Sequence, residues 1–187
     1  MRLAHRPTHS HLALTTLAML LAWSGAAQAA LDLGEKAPPF TLDAALAGNA
    51  FRFSLVDALK SGPVVLYFFP AAFSTDCTIE AHAFAEATDE FKTLGATVIG
   101  VSYDKLDTLK RFSVTECRSK FAVGADVDQK VMKAYDAVLT VKPDFANRVS
   151  YLIEPGGRIA YQFTSLNPQR HVSNVMNALK AWLAKKP

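Results

Sequence analysis

The apolar positions of the chain fall into runs that predict β-strands. Residues 63–69 and 96–103 are continuous stretches of β-branched and aromatic side chains, the pattern of strands buried on both faces. Residues 49–55 alternate apolar and polar side chains, which is typical of a strand near the edge of a sheet. Residues 121–126 predict a short strand, and residues 148–164 predict a hairpin that turns at Glu-Pro-Gly-Gly.

Helical spacing of apolar side chains appears between these runs. In residues 75–92, Phe84 and Phe91 recur at helical intervals and would face the core. The glutamates of this segment, Glu80 among them, would face water. Further helices are predicted at residues 104–120, 128–137 and 168–186.

After an irregular lead-in at residues 34–42 and the edge strand at residues 49–55, the predicted order of elements is β–α–β–α–β–α–β–β–α. Strands separated by helices need crossover connections and pair in parallel, whereas the late hairpin adds antiparallel strands. The sequence therefore predicts an α/β fold with a central mixed β-sheet and helices on both faces. No repeat or linker interrupts the chain after residue 33, which indicates one domain over residues 30–187.

The first 29 residues have the organisation of a secretory signal peptide. A basic start without acidic residues leads into an apolar run at residues 12–23, and residues 26–29 end in an Ala-x-Ala pattern. The alternative is a membrane anchor, but about a dozen apolar residues fall short of the roughly 20 that span a bilayer. We expect cleavage after residue 29 and an exported protein, most simply periplasmic, without stable membrane association.

Removal of this segment changes the charge of the chain. It takes Arg2 and Arg6 from the 20 basic residues and none of the 17 acidic ones, which leaves 18 against 17, a net charge of +1. A nearly neutral chain gives no support for a nucleic-acid partner. Only His82 and His171 remain of the five histidines, and with two distant cysteines they do not make a zinc site. We therefore expect no metal and no other cofactor.

One of the two cysteines lies where the sequence predicts the start of a helix. Cys77 follows a buried strand and falls in the first turn of the helix predicted at residues 75–92. The free N–H groups and the positive end of the helix dipole favour the reactive thiolate there. Ser74 or Thr75 can cap the helix, and the hydroxyl that does not cap would face the sulfur or a substrate. On position alone, a buried and unreactive cysteine is the alternative.

Pro70, Ser74 and Cys77 have a spacing that resembles the active-site signature of the peroxiredoxins, Pro-x-x-x-Thr/Ser-x-x-Cys. The resemblance covers nearly all of residues 33–187, and within this AhpC/TSA family the chain is most similar to the bacterioferritin-comigratory (PrxQ) group. It implies a thioredoxin-like fold. It also implies a thiol peroxidase that reduces hydrogen peroxide and organic hydroperoxides, with a thioredoxin-like protein as the reductant.

The resemblance assigns a role to each matching residue. Cys77 would be the peroxidatic cysteine, which peroxide oxidises to a sulfenic acid. Ser74 would hydrogen-bond the peroxide, and Pro70 would shield the thiolate. Arg148 would approach the sulfur and stabilise both the thiolate and the charge on the departing oxygen. Glu80 would orient Arg148 or accept a hydrogen bond from an N–H at the start of the helix. By residue type alone, both charged residues could instead lie at the surface, with Arg148 balancing Glu154.

The resolving step, in which a second thiol converts the sulfenic acid to a disulfide, depends on where a second cysteine lies. Many PrxQ relatives carry a second cysteine five residues after the first. This chain has His82 there, which we expect at the surface or at the rim of the site. Cys117, near the end of the helix predicted at residues 104–120, is the remaining thiol, and some relatives place the resolving cysteine in that helix. The resemblance implies a Cys77–Cys117 disulfide that forms after both helices unwind locally. A one-cysteine enzyme with Cys117 as a bystander is the alternative.

Two other classes of function follow from other interpretations of the cysteines. A thiol–disulfide oxidoreductase of the same fold would need a second cysteine at position 80, which is Glu80. A non-enzymatic exported binding domain would use Cys77–Cys117 as a structural disulfide. The chain length favours a monomer, although a dimer surface would leave no mark in the sequence.

Overall fold

The computed structural model describes Met1 and residues 30–185, so nearly all of the predicted signal peptide lies outside the described residues. The strands are β1 (Thr41–Leu46), β2 (Asn49–Ser54), β3 (Val64–Phe68), β4 (Thr97–Ser102), β5 (Ala122–Ala125), β6 (Val149–Ile153) and β7 (Ile159–Thr164). The helices are α1 (Leu55–Ser61), α2 (Thr75–Thr93), α3 (Leu106–Thr115), α4 (Lys130–Ala134) and α5 (His171–Ala184). Within the described residues, no helix is long and apolar enough to cross a membrane.

The strands form one mixed sheet in the order β2-β1-β5-β4-β3-β6-β7. The central strands β3, β4 and β5 are parallel, because helical crossovers connect them. The hairpin of β6 and β7 adds to β3 in the antiparallel direction. The prediction of a mixed sheet in an α/β fold is confirmed.

Two apolar clusters cover the two faces of this sheet. Apolar side chains of α1 and α4, such as Leu55 and Met132, form part of one cluster. The other contains Phe84 of α2, Phe112 of α3 and Leu179 of α5. Successive residues of β3 enter alternate clusters, which explains why this strand is apolar throughout. Both cysteines belong to the cluster with α2, α3 and α5.

The sequence analysis missed two elements and overestimated two others. β1 occupies part of the predicted lead-in, because it pairs with β2 along its whole length and with β5 on its other side. α1 begins after Ser54, whose hydroxyl accepts a hydrogen bond from the Asp57 N–H at 3.2 Å. The helices α3 and α4 are shorter than predicted. α3 ends at Thr115 because Arg118 and Ser119 adopt left-handed φ angles of 49° and 57°.

A close contact between β3 and β4 determines how α2 packs on the sheet. Tyr67 of β3 lies beside Gly100 of β4, and a Cβ at position 100 would be 2.6 Å from Cζ of Tyr67. The glycine therefore makes room for the aromatic ring. On its other side the ring stacks on Phe84 of α2, with 4.2 Å between centroids. This packing fixes the helix that carries Cys77.

Candidate active site

Cys77 lies in the first turn of α2, at the end of the sheet where the parallel strands β3 and β4 terminate. β3 ends just before Pro70, which has no N–H to donate to the sheet. Pro70 is half-buried, and Cys77 is 1% exposed. The thiol is therefore at the position predicted from the sequence, under the loop that joins β3 to α2.

Asp104, which the sequence analysis missed, holds this loop in place. Its Oδ2 accepts hydrogen bonds from the Ala72 N–H and the Ser102 hydroxyl, each at 2.8 Å. Phe73 has a left-handed φ of 65°, and its ring contacts Phe112 edge-on at 5.2 Å between centroids. A signal for Asp104 exists in the sequence, since it follows the buried strand next to the one that precedes Cys77.

The two hydroxyl residues before Cys77 do not cap α2 through their side chains. Ser74 is at the N-cap position, but its Oγ donates to the Ala71 carbonyl at 3.0 Å. Thr75 is the first residue of the helix, and both side chains are exposed. Ser74 is therefore the N-cap residue, as predicted, but it makes no capping hydrogen bond through its side chain. The first N–H groups of a helix have no acceptor within the helix, so those at the start of α2 are available to an anion.

Arg148 joins the cysteine to a buried carboxylate. Its Nη2 donates to Cys77 Sγ at 3.5 Å, and its Nη1 donates to Glu80 Oε2. Arg148 is 3% exposed and Glu80 is fully buried, so the expectation of a solvated Glu80 and the surface alternative for Arg148 are both wrong. Glu154, the surface partner considered for Arg148, instead accepts a hydrogen bond from the Trp182 indole N–H at 3.2 Å.

The charges of this cluster are coupled through Arg148. Burial raises the pKa of Glu80 to about 8, against the opposing effect of the Arg148 charge. A buried site with one guanidinium accommodates one anion at the lowest cost in free energy. Burial therefore favours a proton on Glu80, the carboxyl group that Arg148 contacts.

His171 and Ser150 extend the polar cluster beyond the residues that the sequence analysis assigned. His171 is the first residue of α5, Ser150 lies in β6, and both are fully buried. His171 Nδ1 is 2.8 Å from Ser150 Oγ and 3.7 Å from Glu80 Oε1. Burial lowers the pKa of His171 to about 4, and the nearby Arg148 charge acts in the same direction. The only sequence signal was that His171 is one of two histidines after the predicted signal peptide.

Cys117 lies in the turn after α3, because α3 ends at Thr115. The prediction that it lies within the helix is wrong. Its side chain is fully buried, and both cysteines are free thiols, which argues against a structural disulfide. Burial and the neighbouring Glu116 raise the pKa of Cys117 well above its usual range. Cys117 is therefore protonated and shielded in this conformation.

The turn around Cys117 is attached to α2 by three ion pairs. We call residues 116–120 the Cys117 segment. Its three charged side chains contact α2 at successive turns of that helix. The pairs are Glu116–His82 at 2.9 Å, Arg118–Glu86 at 3.1 Å and Lys120–Asp89 at 2.8 Å. His82 is half-buried at the rim of this contact, in agreement with the expected surface or rim position. Among residues 30–185, no cluster of three or more His, Cys, Asp or Glu side chains could hold a metal ion.

Comparison with known proteins finds relatives along most of the chain. A family model described as AhpC/TSA family matches residues 33–162. Peroxiredoxin Bcp of Escherichia coli (strain K12) is 30% identical over 155 residues, which cover 80% of this chain and 96% of that protein. Chloroplastic Peroxiredoxin Q of Sedum lineare is 28% identical over 149 residues, which cover 79% of this chain and 77% of that protein.

Solved structures of similar proteins show the same fold. Peroxidoxin BcpB from Mycobacterium tuberculosis matches with a TM-score of 0.73 at 24% identity, over 81% of this chain and 97% of that one. AhpC from Enterococcus faecalis matches with a TM-score of 0.74 at 22% identity, over 81% and 92% of the two chains. The expected thioredoxin-like fold is confirmed.

Proposed function

The chain belongs to the AhpC/TSA family of peroxiredoxins, and on this premise we propose how its own residues carry out the reaction. The protein is a thiol peroxidase, an oxidoreductase that reduces peroxides with electrons from a thioredoxin-like protein. Cys77 is the peroxidatic cysteine. The observation that supports this role most directly is the Arg148 guanidinium at 3.5 Å from Cys77 Sγ, in a buried site at the start of α2.

The first step is attack of the Cys77 thiolate on one oxygen of the peroxide. An S–O bond forms as the O–O bond breaks, and the second oxygen leaves with the electron pair and takes up a proton to become water or an alcohol. The sulfur loses two electrons and becomes a sulfenic acid. Arg148 stabilises the thiolate before attack and the negative charge on the leaving oxygen during it. The substrates are hydrogen peroxide and organic hydroperoxides.

Ser74 and Pro70 shape the place where the peroxide binds. The Ser74 hydroxyl donates its hydrogen to the Ala71 carbonyl, so its oxygen lone pairs are free to accept the O–H of a peroxide. Pro70, half-buried at the end of β3, limits the access of water to the sulfur. Thr75 supports this loop as the first residue of α2.

Cys117 resolves the sulfenic acid in the second step. Its thiol condenses with the Cys77 sulfenic acid, which gives a disulfide and water, and a thioredoxin-like dithiol then reduces the disulfide by exchange. A disulfide requires Cα atoms within about 7 Å, so the first turn of α2 and the Cys117 segment must both open. A turn opens more readily than a helix, and Cys117 lies in a turn.

A one-cysteine cycle is the second candidate, and a specific observation favours it. Cys117 is fully buried, and the segment around it is attached to α2 by three ion pairs. If this segment stays closed, an external thiol would reduce the Cys77 sulfenic acid directly. The two cycles differ in the first stable product that follows the sulfenic acid.

One experiment separates these possibilities. The reduced native protein, Cys77→Ser and Cys117→Ser each receive stoichiometric peroxide, and mass spectrometry of intact protein and peptides identifies the cysteine states. We expect a Cys77–Cys117 disulfide in the native protein. In Cys117→Ser we expect a sulfenic acid at Cys77, which a second equivalent of peroxide converts to a sulfinic acid. If the two proteins instead give the same Cys77 products, Cys117 is a bystander. If the native protein consumes no peroxide, the peroxidase role of Cys77 is wrong.

The protein works as an exported monomer. The predicted signal peptide over residues 1–29 supports export, and the electron donor must then also act outside the cytoplasm. Expression of the full chain in a Gram-negative host should give a periplasmic product that begins at Ala30, as the mass of the purified protein would show. A chain that lacks residues 2–29 is the control and should stay in the cytoplasm. A full chain with an intact N-terminus in the membrane fraction would contradict export by cleavage.

A further inference from the structure

A buried polar path continues from Arg148 to the start of α5. Arg148 contacts Glu80, Glu80 lies beside His171, and His171 contacts Ser150. Arg148 and Ser150 are two residues apart, so they project from the same side of β6, the side on which α2 and α5 pack. The reaction described above uses Arg148 and Glu80 but gives no task to His171 or Ser150.

The hydrogen bonds of His171 determine which ring nitrogen carries the proton. Nε2 lies 2.8 Å from the carbonyl oxygen of Ser165, which can only accept, so Nε2 is the protonated nitrogen. Nδ1 then has a lone pair, and the Ser150 hydroxyl at 2.8 Å donates to it. His171 is therefore held from two sides as a neutral ring of fixed orientation.

This fixed ring borders the Glu80 carboxyl group on the side away from Arg148. Glu80 Oε2 accepts from Arg148, whereas Oε1 is buried, has no hydrogen-bond partner in the described chain and lies 3.7 Å from His171 Nδ1. Rotation of the carboxyl group away from Arg148 would have to displace the ring, which Ser150 and the Ser165 carbonyl hold in place. The ring also packs edge-on against Phe163 at 4.9 Å between centroids.

We propose that His171, oriented by Ser150, is a positioning residue for the peroxidatic site: it fixes Glu80, which holds Arg148 in contact with the Cys77 sulfur. The inference rests on the proposed role of Cys77. Arg148 donates to Glu80 through Nη1 and to the Cys77 sulfur through Nη2. A shift of the carboxyl group would therefore move Nη2 away from the sulfur. The start of α5 thereby contributes to the reactivity of a thiol on α2.

The test compares two substitutions of His171, one that preserves its volume and one that preserves a hydrogen-bond acceptor. His171→Leu retains most of the buried volume but no polar atom, whereas His171→Asn loses volume but keeps an acceptor near the position of Nδ1. Both are made in Cys117→Ser, so that Cys77 is the single thiol. The readouts are the second-order rate constant with hydrogen peroxide and the pH dependence of Cys77 alkylation, which reports the fraction of thiolate.

We expect His171→Leu to lower the peroxide rate constant by about tenfold or more and to move thiolate formation to higher pH. His171→Asn keeps the acceptor for Ser150 but leaves space beside Glu80, so it should lower the rate constant less than His171→Leu does. Ser150→Ala should also lower it less than His171→Leu does. A residue that only fills the core would give the opposite ranking, with leucine the better replacement. Equal rates and equal pH profiles for His171→Leu and the parent would also overturn the proposal.

Thr88→Val is the matched control, because Thr88 is a buried polar residue of α2 whose hydroxyl donates only to the Phe84 carbonyl. It should leave the rate constant and the pH profile of Cys77 unchanged. If His171→Leu does not fold, Ser150→Ala tests the proposal instead, because it removes only the hydroxyl that orients His171. A rate constant and pH profile equal to those of the parent would then overturn the proposal. Failure of the Cys117→Ser parent itself to react with peroxide would refute the role of Cys77. A reactive parent with insensitive variants would refute only the role of His171.

Discussion

At the scale of single residues, the account depends on the geometry of Arg148. Its guanidinium reaches Glu80 and Cys77 at once from a position almost without solvent contact. A planar fork with several donors can serve two acceptors in fixed directions, whereas a lysine ammonium acts as a point charge. Charge alone therefore does not account for the site.

Substitution Arg148→Lys tests this point. The ammonium group cannot contact both Glu80 and the sulfur, so we expect the second-order rate constant with peroxide to fall by about a hundredfold. Rapid mixing with hydrogen peroxide measures it. Arg52→Lys is the control, because Arg52 forms an exposed ion pair with Asp43 at 2.9 Å, and its rate should match that of the native protein. A native rate in Arg148→Lys would show that a positive charge is sufficient.

The buried His171 also makes stability depend on pH. Its pKa is lowered from 6.5 to about 4, so between these values the unfolded chain binds a proton that the folded protein excludes. Stability from His171 is complete above pH 6.5 and is lost as the pH falls toward 4. In urea unfolding, the stability advantage of the native protein over His171→Asn should shrink by about 3 kcal/mol across this range. A constant difference would mean that His171 is protonated in the folded state.

The sequence pattern identified some residues of the site and missed others for a physical reason. Cys77 and Ser74 were found because their spacing along one helix start is local. Glu80 was assigned to the solvent side of α2 from the helical periodicity. That periodicity reports only local spacing and gives no sign of Arg148, a partner 68 residues away in the sequence. His171 was missed for the same reason, since its partners come from α2 and β6.

At the scale of elements, the contact between α2 and the Cys117 segment would control the proposed second step. The three ion pairs join the two parts of the chain that must separate before a disulfide forms. The left-handed φ angles of Arg118 and Ser119 add strain to the same segment. Attachment and strain therefore act in opposite directions on its opening.

The combined substitution Arg118→Ala and Lys120→Ala should release the segment. Exposed ion pairs are individually weak, so we expect disulfide formation after a peroxide pulse to become about threefold to tenfold faster. Quenching with an alkylating reagent at timed intervals follows the reaction. Lys180→Ala is the control, because it breaks a pair between α5 and Glu90 of α2 at 2.6 Å without touching the segment. Equal acceleration by the control would contradict a specific effect of the two pairs.

The packing of Tyr67 over Gly100 predicts a cost for a single methyl group. A Cβ at position 100 would overlap a ring that is confined between β4 and Phe84, so Gly100→Ala should lower the free energy of unfolding by about 1–3 kcal/mol. Gly156→Ala is the control, because its Cβ would meet only Glu154 Oε1 at 3.6 Å. Urea denaturation of both variants measures the difference. A neutral Gly100→Ala would mean that the ring has room to move.

At the scale of the whole molecule, the sequence predicted the sheet better than its edges. The buried strands β3 and β4 and the late hairpin were predicted, because continuous or alternating apolar runs encode burial directly. β1 was missed because its small and polar side chains become a strand only through pairing with β2 and β5. The fold thus places Cys77 where parallel strands end, whereas the shielding of Cys117 depends on how the turn after α3 packs.

The central claim is that Cys77, activated by Arg148, reduces peroxide. The most direct measurement is the rate at which the reduced protein consumes hydrogen peroxide in rapid mixing, compared with Cys77→Ser and with free cysteine. We predict that the native rate constant exceeds that of free cysteine by several orders of magnitude and that Cys77→Ser abolishes the reaction. A native rate close to that of free cysteine, or undiminished consumption by Cys77→Ser, would contradict the claim.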